Sequence, residues 1–232
     1  MKKFIGQLLV LAFIVGPLTL SQAQQEKEVR EVGFYHSIKV AGSYKVNLVK
    51  GQPGSITLDG SKLSAVRASV KNGTLTIQRK SNLGSNSWRG AIEVTVPIDE
   101  LNALALSGSG KISNNHTLSS DQLKLSLAGS GKIDLKVHAD SIEGSVSGSG
   151  GITLSGDTDR VTFSLAGSGF VKASELKADK AIANVSGSGS VNLYASDSFN
   201  GNVSGSGSIK CHGTPDKQNQ KVSGSGRISF VD

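Results

Sequence analysis

The chain has 232 residues, of which 29 are glycine and only 5% aromatic, and it carries a formal net charge of +7. That length holds one domain, or a small cap joined to a solenoid. The glycine-rich, aromatic-poor balance argues against a globular α/β enzyme, and the absence of a large charge excess argues against a disordered chain.

Residues 1–23 run from Lys2-Lys3 through an apolar core, Phe4 to Leu20, to Ser21-Gln22-Ala23. Positive start, hydrophobic middle and small-residue exit predict a cleavable signal peptide, cut after Ala23. The mature chain is therefore expected to be exported, to the periplasm, the outer surface or the medium. No later stretch offers the ~20 apolar residues that cross a bilayer, so no membrane span is expected after cleavage. Residues 24–32 are polar and charged, and are expected to be a mobile leader. Order is expected over 33–232, with a cap and first coils at 33–106 and regular coils at 107–232.

Ile38, Val40, Gly42, Tyr44, Val46 and Leu48 share one parity and predict a degenerate first coil. Tyr44 stands there where later coils have a glycine, which predicts a wider corner. Gly51-Gln52-Pro53-Gly54 is a turn before a short strand from Ser55 to Leu58. Alternating residues up to Val70 and on from Leu75 flank Asn72-Gly73, which predicts a type I′ hairpin, because both central positions of that turn need positive φ. Such an antiparallel hairpin would cap the first coils and cover an edge that otherwise invites aggregation. Ser81 to Gly90 is a polar loop containing Trp88 and Arg89, which reads either as a tryptophan folded over the solenoid flank, the preferred reading because large aromatics are mostly buried, or as a pair of the kind that anchors binding interfaces. Ile92, Val94 and Val96 form the next strand.

From Ser107 onward the tetrapeptide [Ser/Ala]-Gly-Ser-Gly recurs, starting at Ser107, Ala128, Ser147, Ala166, Ser186, Ser204 and Ser223, at spacings of 21, 19, 19, 20, 18 and 19 residues. Seven copies at a period near twenty predict stacked coils that share one core. In the second copy Leu123, Leu125, Leu127, Gly129, Gly131, Ile133 and Leu135 fall on one face and Lys124, Ser126, Ala128, Ser130 and Lys132 on the other. The residues before each motif, from Leu106 to Val222, and two residues after it, from Ile112 to Ile228, predict two inward ladders. Leu135, Leu154, Ala173, Leu193, Cys211 and Phe230 make a third, interrupted by Asn114.

Glycine weakens a strand interior, so its recurrence implies a tight bend or a close backbone approach. The expectation is a pinched corner with both glycines turned inward. The serines then face out as a stripe roughly 30 Å long, and Ser107, Ser109, Ser130, Ser147, Ser149, Ser168, Ser186, Ser188, Ser204, Ser206, Ser223 and Ser225 form the candidate binding surface, to which Trp88 and Arg89 are added as separate candidates. Seven residues before each later motif stands Asp121, Asp140, Asp159, Asp179, Asp197 or Asp216. Asp closes turns by accepting a backbone hydrogen bond, and this reading is preferred over a column of cation ligands, since one acid per coil lacks the clustering that Ca²⁺ requires.

No chemistry stands out. His36, His116, His138 and His212 are dispersed without metal-ligand spacing. A Gly-Ser-Gly unit repeated in every coil is not a nucleophile elbow, and no helix follows it to cradle a phosphate. Asp157, Asp159 and Arg160 are the nearest cluster for a polysaccharide-cleaving site. No cofactor, no metal and no catalytic residue is assigned. The basic residues are scattered among acids rather than gathered in a stripe, so no nucleic-acid partner is expected.

The opening Phe34-Tyr35-His36-Ser37-Ile38-Lys39-Val40, then Asn72-Gly73-Thr74-Leu75-Thr76-Ile77, then Ile92-Glu93-Val94-Thr95-Val96-Pro97, and above all the serial Ser-Gly-Ser-Gly-x-Ile units resemble the bacterial head GIN domain family of autotransporter-type adhesins, over about residues 33–232. The resemblance implies a right-handed parallel β-helix and an exported, envelope-associated protein. The expectation is an all-β solenoid of 19–20 residues per coil with an N-terminal antiparallel cap. It would be a non-catalytic adhesin-like or envelope-interaction module, with a glycan or a surface protein as partner and open coil edges through which copies can associate. The alternatives are a polysaccharide-active β-helix enzyme and a purely structural envelope protein.

Overall fold

A computed structural model describes residues 26–80 and 92–231; the expected signal segment and the candidates Trp88 and Arg89 lie outside the described residues. The described chain forms one 18-stranded sheet wound into a solenoid, with a single 3₁₀ turn at Leu63–Ala65.

The first coil is β2 (Ser37–Ala41) and β3 (Lys45–Lys50). The chain then builds the cap: β4 (Ser55–Gly60), β5 (Val66–Lys71), β6 (Thr74–Arg79) and β7 (Glu93–Ile98). β5 and β6 are the expected hairpin, with positive φ at both Asn72 (48°) and Gly73 (68°). β6 lies parallel on the outer side of β2 and β7 on the outer side of β3, while β8 (Ala103–Gly108) and β9 (Lys111–Asn114) take their inner sides. The first coil is thus sandwiched between two segments that both follow it in sequence.

Glu26–Glu31, expected to belong to a mobile leader, is instead strand β1, antiparallel to β4. Its polar composition suits a sheet edge as well as it suits a leader, since an edge strand needs little apolar surface. Arg30 fixes it by donating to the Leu63 and Val66 carbonyls at 2.8 and 2.7 Å.

Beyond the cap the coils stack in parallel: β10 (Leu118–Gly129), β11 (Lys132–Gly148), β12 (Gly151–Gly167) and β13 (Phe170–Gly187), followed by the shorter β14 (Ser190–Tyr194), β15 (Ser198–Gly205), β16 (Ser208–His212), β17 (Lys217–Ser223) and β18 (Arg227–Val231). The register places Ile133 on Ile152, Ile152 on Val171, and Leu127 on Val146. The predicted ladders are the core: Leu106, Leu127, Val146, Leu165, Val185 and Val203 are all buried, and so are Ile112, Ile133, Ile152, Val171, Val191 and Ile209. In the last coil, which no further strand covers among the described residues, Val222 is 44% exposed. At Asn114 the third ladder lacks an apolar side chain, and the amide substitutes for a strand rung, donating to the Lys136 carbonyl at 2.8 Å and accepting from its N–H at 2.9 Å.

The corner corrects one expectation. Only the second glycine of the motif is buried, as at Gly131, Gly150 and Gly169, except in the last coil where Gly226 is half-buried; the first is exposed or half-buried, with φ between +111° and +117°. A chain that reverses direction cannot keep strict alternation, and the positive φ of the first glycine makes the turn. At Gly108, Gly129, Gly148 and Gly167 its carbonyl accepts two successive N–H groups from the next coil, as Gly129 does from Ser149 (3.1 Å) and Gly150 (2.8 Å). Such double acceptance needs backbones close enough that no Cβ fits between them. Tyr44 does not widen its corner: Gly110 N–H still reaches the Gly42 carbonyl at 3.1 Å, and Lys111 N–H the Tyr44 carbonyl at 2.9 Å. Its ring folds over Gly42 instead.

Cys211 is fully buried between Leu193 and Phe230 on the third ladder, and burial pushes its thiol from 9.0 to about 11. Above pH 9 the unfolded chain releases this proton while the folded chain retains it. The contribution is therefore complete below pH 9 and is lost as pH rises to about 11, some 2 to 3 kcal/mol in all. Denaturant unfolding at pH 8 and pH 11 is expected to show wild type losing that much more stability than Cys211→Ala; parallel losses would exclude the linkage.

Candidate functional site

All twelve motif serines face solvent, as the sequence pattern predicts. Their backbones supply the corner bonds and, among the described residues, none of their hydroxyls is hydrogen-bonded to the protein. The structure divides them into two columns. Ser107, Ala128, Ser147, Ala166, Ser186, Ser204 and Ser223 stack in register on the wall that precedes the corner. Ser109, Ser130, Ser149, Ser168, Ser188, Ser206 and Ser225 lie at the corner itself.

From Ala128 to Ser223 the first column lines a groove of about 720 Å³ that crosses six coils. Its other half is a column the serine stripe omits: Ser126, Ser145, Ser164, Asn184, Asn202 and Lys221, two residues earlier in each coil. Asn202 donates to Asn184 at 2.9 Å, continuing the hydroxyl row as an amide ladder. The floor is low because Ser, Ala and Asn are short; the flanking outward column rises at Lys124, Glu143 and Ile182 and is as low as the floor at Thr162, Asn200 and Asn219. The second column was readable as a recurrence of small polar residues on the outward parity. What the sequence does not show is that the two columns join in one depression while the corner serines lie outside it.

The Asp column marks bends. Asp121, Asp140 and Asp159 fall at the gaps between paired segments, where Ala139 still pairs with Thr158 and Ser141 with Arg160. The Asp197 N–H reaches the Asp179 carbonyl at 2.9 Å, and the Asp179 carboxylate accepts from the Ser196 hydroxyl at 3.1 Å. Among the described residues no three His, Cys, Asp or Glu side chains gather around a common point. In the charged cluster, Asp157 is paired with His138 of the preceding coil, and Asp159 and Arg160 are exposed. Trp88 and Arg89, the remaining candidates, lie outside the described residues.

The fold recurs in solved structures. A "putative adhesin" from Bacteroides fragilis is 20% identical with a TM-score of 0.82, over 90% of this chain and 98% of that one. A "putative lipid binding protein" from Parabacteroides distasonis is 25% identical with a TM-score of 0.74, over 90% and 97%. A "putative adhesin" from Parabacteroides merdae is 20% identical with a TM-score of 0.71, over 90% and 97%. No curated protein matches the chain. The family model described as "Putative auto-transporter adhesin, head GIN domain" matches residues 34–215. With that match spanning the cap, the first coil and nearly all the glycine corners, the chain belongs to the head GIN domain family.

Proposed function

We propose that the chain is an exported, non-catalytic adhesin-like module whose groove binds a glycan. The observation that carries this reading is the groove itself: about 720 Å³ of continuous depression in which hydroxyls and amides recur at the coil interval on a floor that is otherwise largely apolar. Coils repeat every ~4.8 Å, close to the length of one sugar residue in an extended chain, so successive hydroxyls along a glycan meet equivalent donors and acceptors. Export follows from the signal-like residues 1–23 and suits an adhesin-like family. The polysaccharide-cleaving alternative gains no support, because its acids sit on exposed bends, one of them engaged with His138.

The test is a glycan array with the mature chain. Ser145→Trp combined with Ser164→Trp fills the groove from outward-facing positions and is expected to weaken binding about tenfold or more, since a filled groove excludes the ligand. Ser149→Trp with Ser168→Trp, at the corner, is expected to leave it unchanged. Equal effects from both pairs, or no glycan bound at all, would remove this reading. Lipid vesicles belong in the same assay, because one structural relative is named as lipid binding; vesicle binding without glycan binding would also overturn it.

A further inference from the structure

Beside the C-terminal half of the groove lies a second cavity of about 360 Å³ on the same wall. Arg160, Lys180 and Lys217 line one side of it, and Ile182, Asn200 and Asn219 the other. The register stacks Arg160 on Lys180, Lys180 on Ser198, and Ser198 on Lys217, so three cations share one column over four coils. Like charges facing each other on adjacent strands destabilise a sheet.

The neighbouring acids compensate only in part. Lys180 lies 4.0 Å from Asp197, while neither Arg160 nor Lys217 has an ion-pair partner among the described residues. Asp159, Asp179, Asp197 and Asp216 stay on the bend at the margin of the wall. Across the wall itself, from Thr162 to Ser223, the outward positions hold Ser, Thr, Ala, Asn, Ile182 and Lys221, with no carboxylate. The other end differs: there Lys124 is paired with Glu143 at 3.5 Å. The repeat thus provides one scaffold throughout, and on this wall the cations of the C-terminal coils are only partly compensated: Lys180 faces Asp197, and Glu143 lines a neighbouring hollow together with Arg160.

We propose that Arg160, Lys180 and Lys217 are an anion-recognition flank alongside the groove, so that its ligand is an acidic polysaccharide bearing carboxylate or sulfate groups. This rests on the glycan-binding reading above and adds the ligand class. The anionic groups lie along the cationic column, the hydroxyls meet Asn200 and Asn219, and Ile182, 36% exposed, receives the C–H face of a sugar ring.

The experiment compares binding of the mature chain to immobilised polygalacturonate, heparin and neutral dextran at about 0.15 M salt. Polygalacturonate or heparin is expected to bind about tenfold more tightly than dextran, through charge-assisted contacts. The triple variant Arg160→Gln, Lys180→Gln, Lys217→Gln is expected to lose that advantage. Lys132→Gln, Lys136→Gln, Lys210→Gln removes the same charge from exposed positions on another wall and is expected to change affinity less than about twofold. All six positions are exposed, and thermal unfolding of each triple checks that the fold is retained; Arg160→Lys with Lys217→Arg keeps the charge and is expected to keep binding. Equal losses from the two triples would reduce the effect to net charge and overturn the proposal. Dextran bound as tightly as the acidic chains, with loss only in the groove-filling variant, would overturn it while leaving the glycan groove standing. No binding to any glycan would overturn both, and so would binding confined to anionic vesicles.

Discussion

Gly148→Ala is expected to destabilise the protein by about 3 to 5 kcal/mol, measured by denaturant unfolding, whereas Ser149→Ala beside it changes stability by less than about 0.5 kcal/mol. Two costs combine at Gly148. Its φ of +115° is a conformation that side chains rarely adopt, costing about 1 to 3 kcal/mol. A Cβ there would also lie 2.6 Å from the Gly129 carbonyl oxygen, and relieving that overlap costs a further 1 to 3 kcal/mol or so. Neither coil can retreat, because Gly148 is followed by Gly167 in the same column. Gly224→Ala meets the Gly205 carbonyl at 2.5 Å in the same way, but its coil has no strand beyond it among the described residues and can yield outward. Its cost is expected to be smaller. Equal costs at 148 and 224 would show that stacking on both sides is irrelevant, and a tolerated Gly148→Ala would remove the close-approach account of the corner.

Phe163→Ala is expected to cost about 3 to 5 kcal/mol. The ring is fully buried and fills space that its neighbours leave: Gly144 stacks on one side and Ala183 on the other. A Cβ on Gly144 would stand 2.7 Å from the ring. Gly144→Ala is therefore expected to destabilise by about 1 to 3 kcal/mol in wild type and by less in a Phe163→Ala background, where the ring is gone. A double-mutant cycle measures this coupling as the departure from additivity. Strict additivity would show that the two residues do not share a space. Within one strand the Phe199 ring likewise covers Gly201, where a Cβ would stand 2.5 Å from it.

Much of the fold was legible because its rules are local and repeat. Alternation around Ile133, Ile152 and Val171 assigned them to the interior, and the twenty-residue period stacked them. Asn72-Gly73 specified its turn because few residue pairs accept two positive φ values. The twelve serines were correctly read as exposed for the same reason: strand parity decides which face a residue occupies. Parity alone failed where the chain turns, at Gly129 and its equivalents, since a corner is where alternation stops.

The groove shows a different boundary between sequence and structure. Ser145 and Ser147 are both outward by parity, and so is Ser149, yet only the first two lie in the depression. Whether outward residues share a concave surface depends on the heights of their neighbours and on the bend of the wall, which spacing does not contain. The cationic column arose likewise: Arg160, Lys180 and Lys217 are scattered along the chain and meet only because coil lengths of 18 to 20 residues bring them into one register.

By itself the sequence determined the repeat, the three apolar ladders, the tight corners and the hairpin, because each is set by residues within one coil or between identical positions of adjacent coils. Only the tertiary structure decided that β6 and β7 flank the first coil from outside, that Glu26–Glu31 completes the cap as a strand, and that Phe163 is matched to Gly144. Those choices depend on which free edges and unfilled volumes meet across unlike segments, and a contact between unlike segments leaves no periodic trace in the chain.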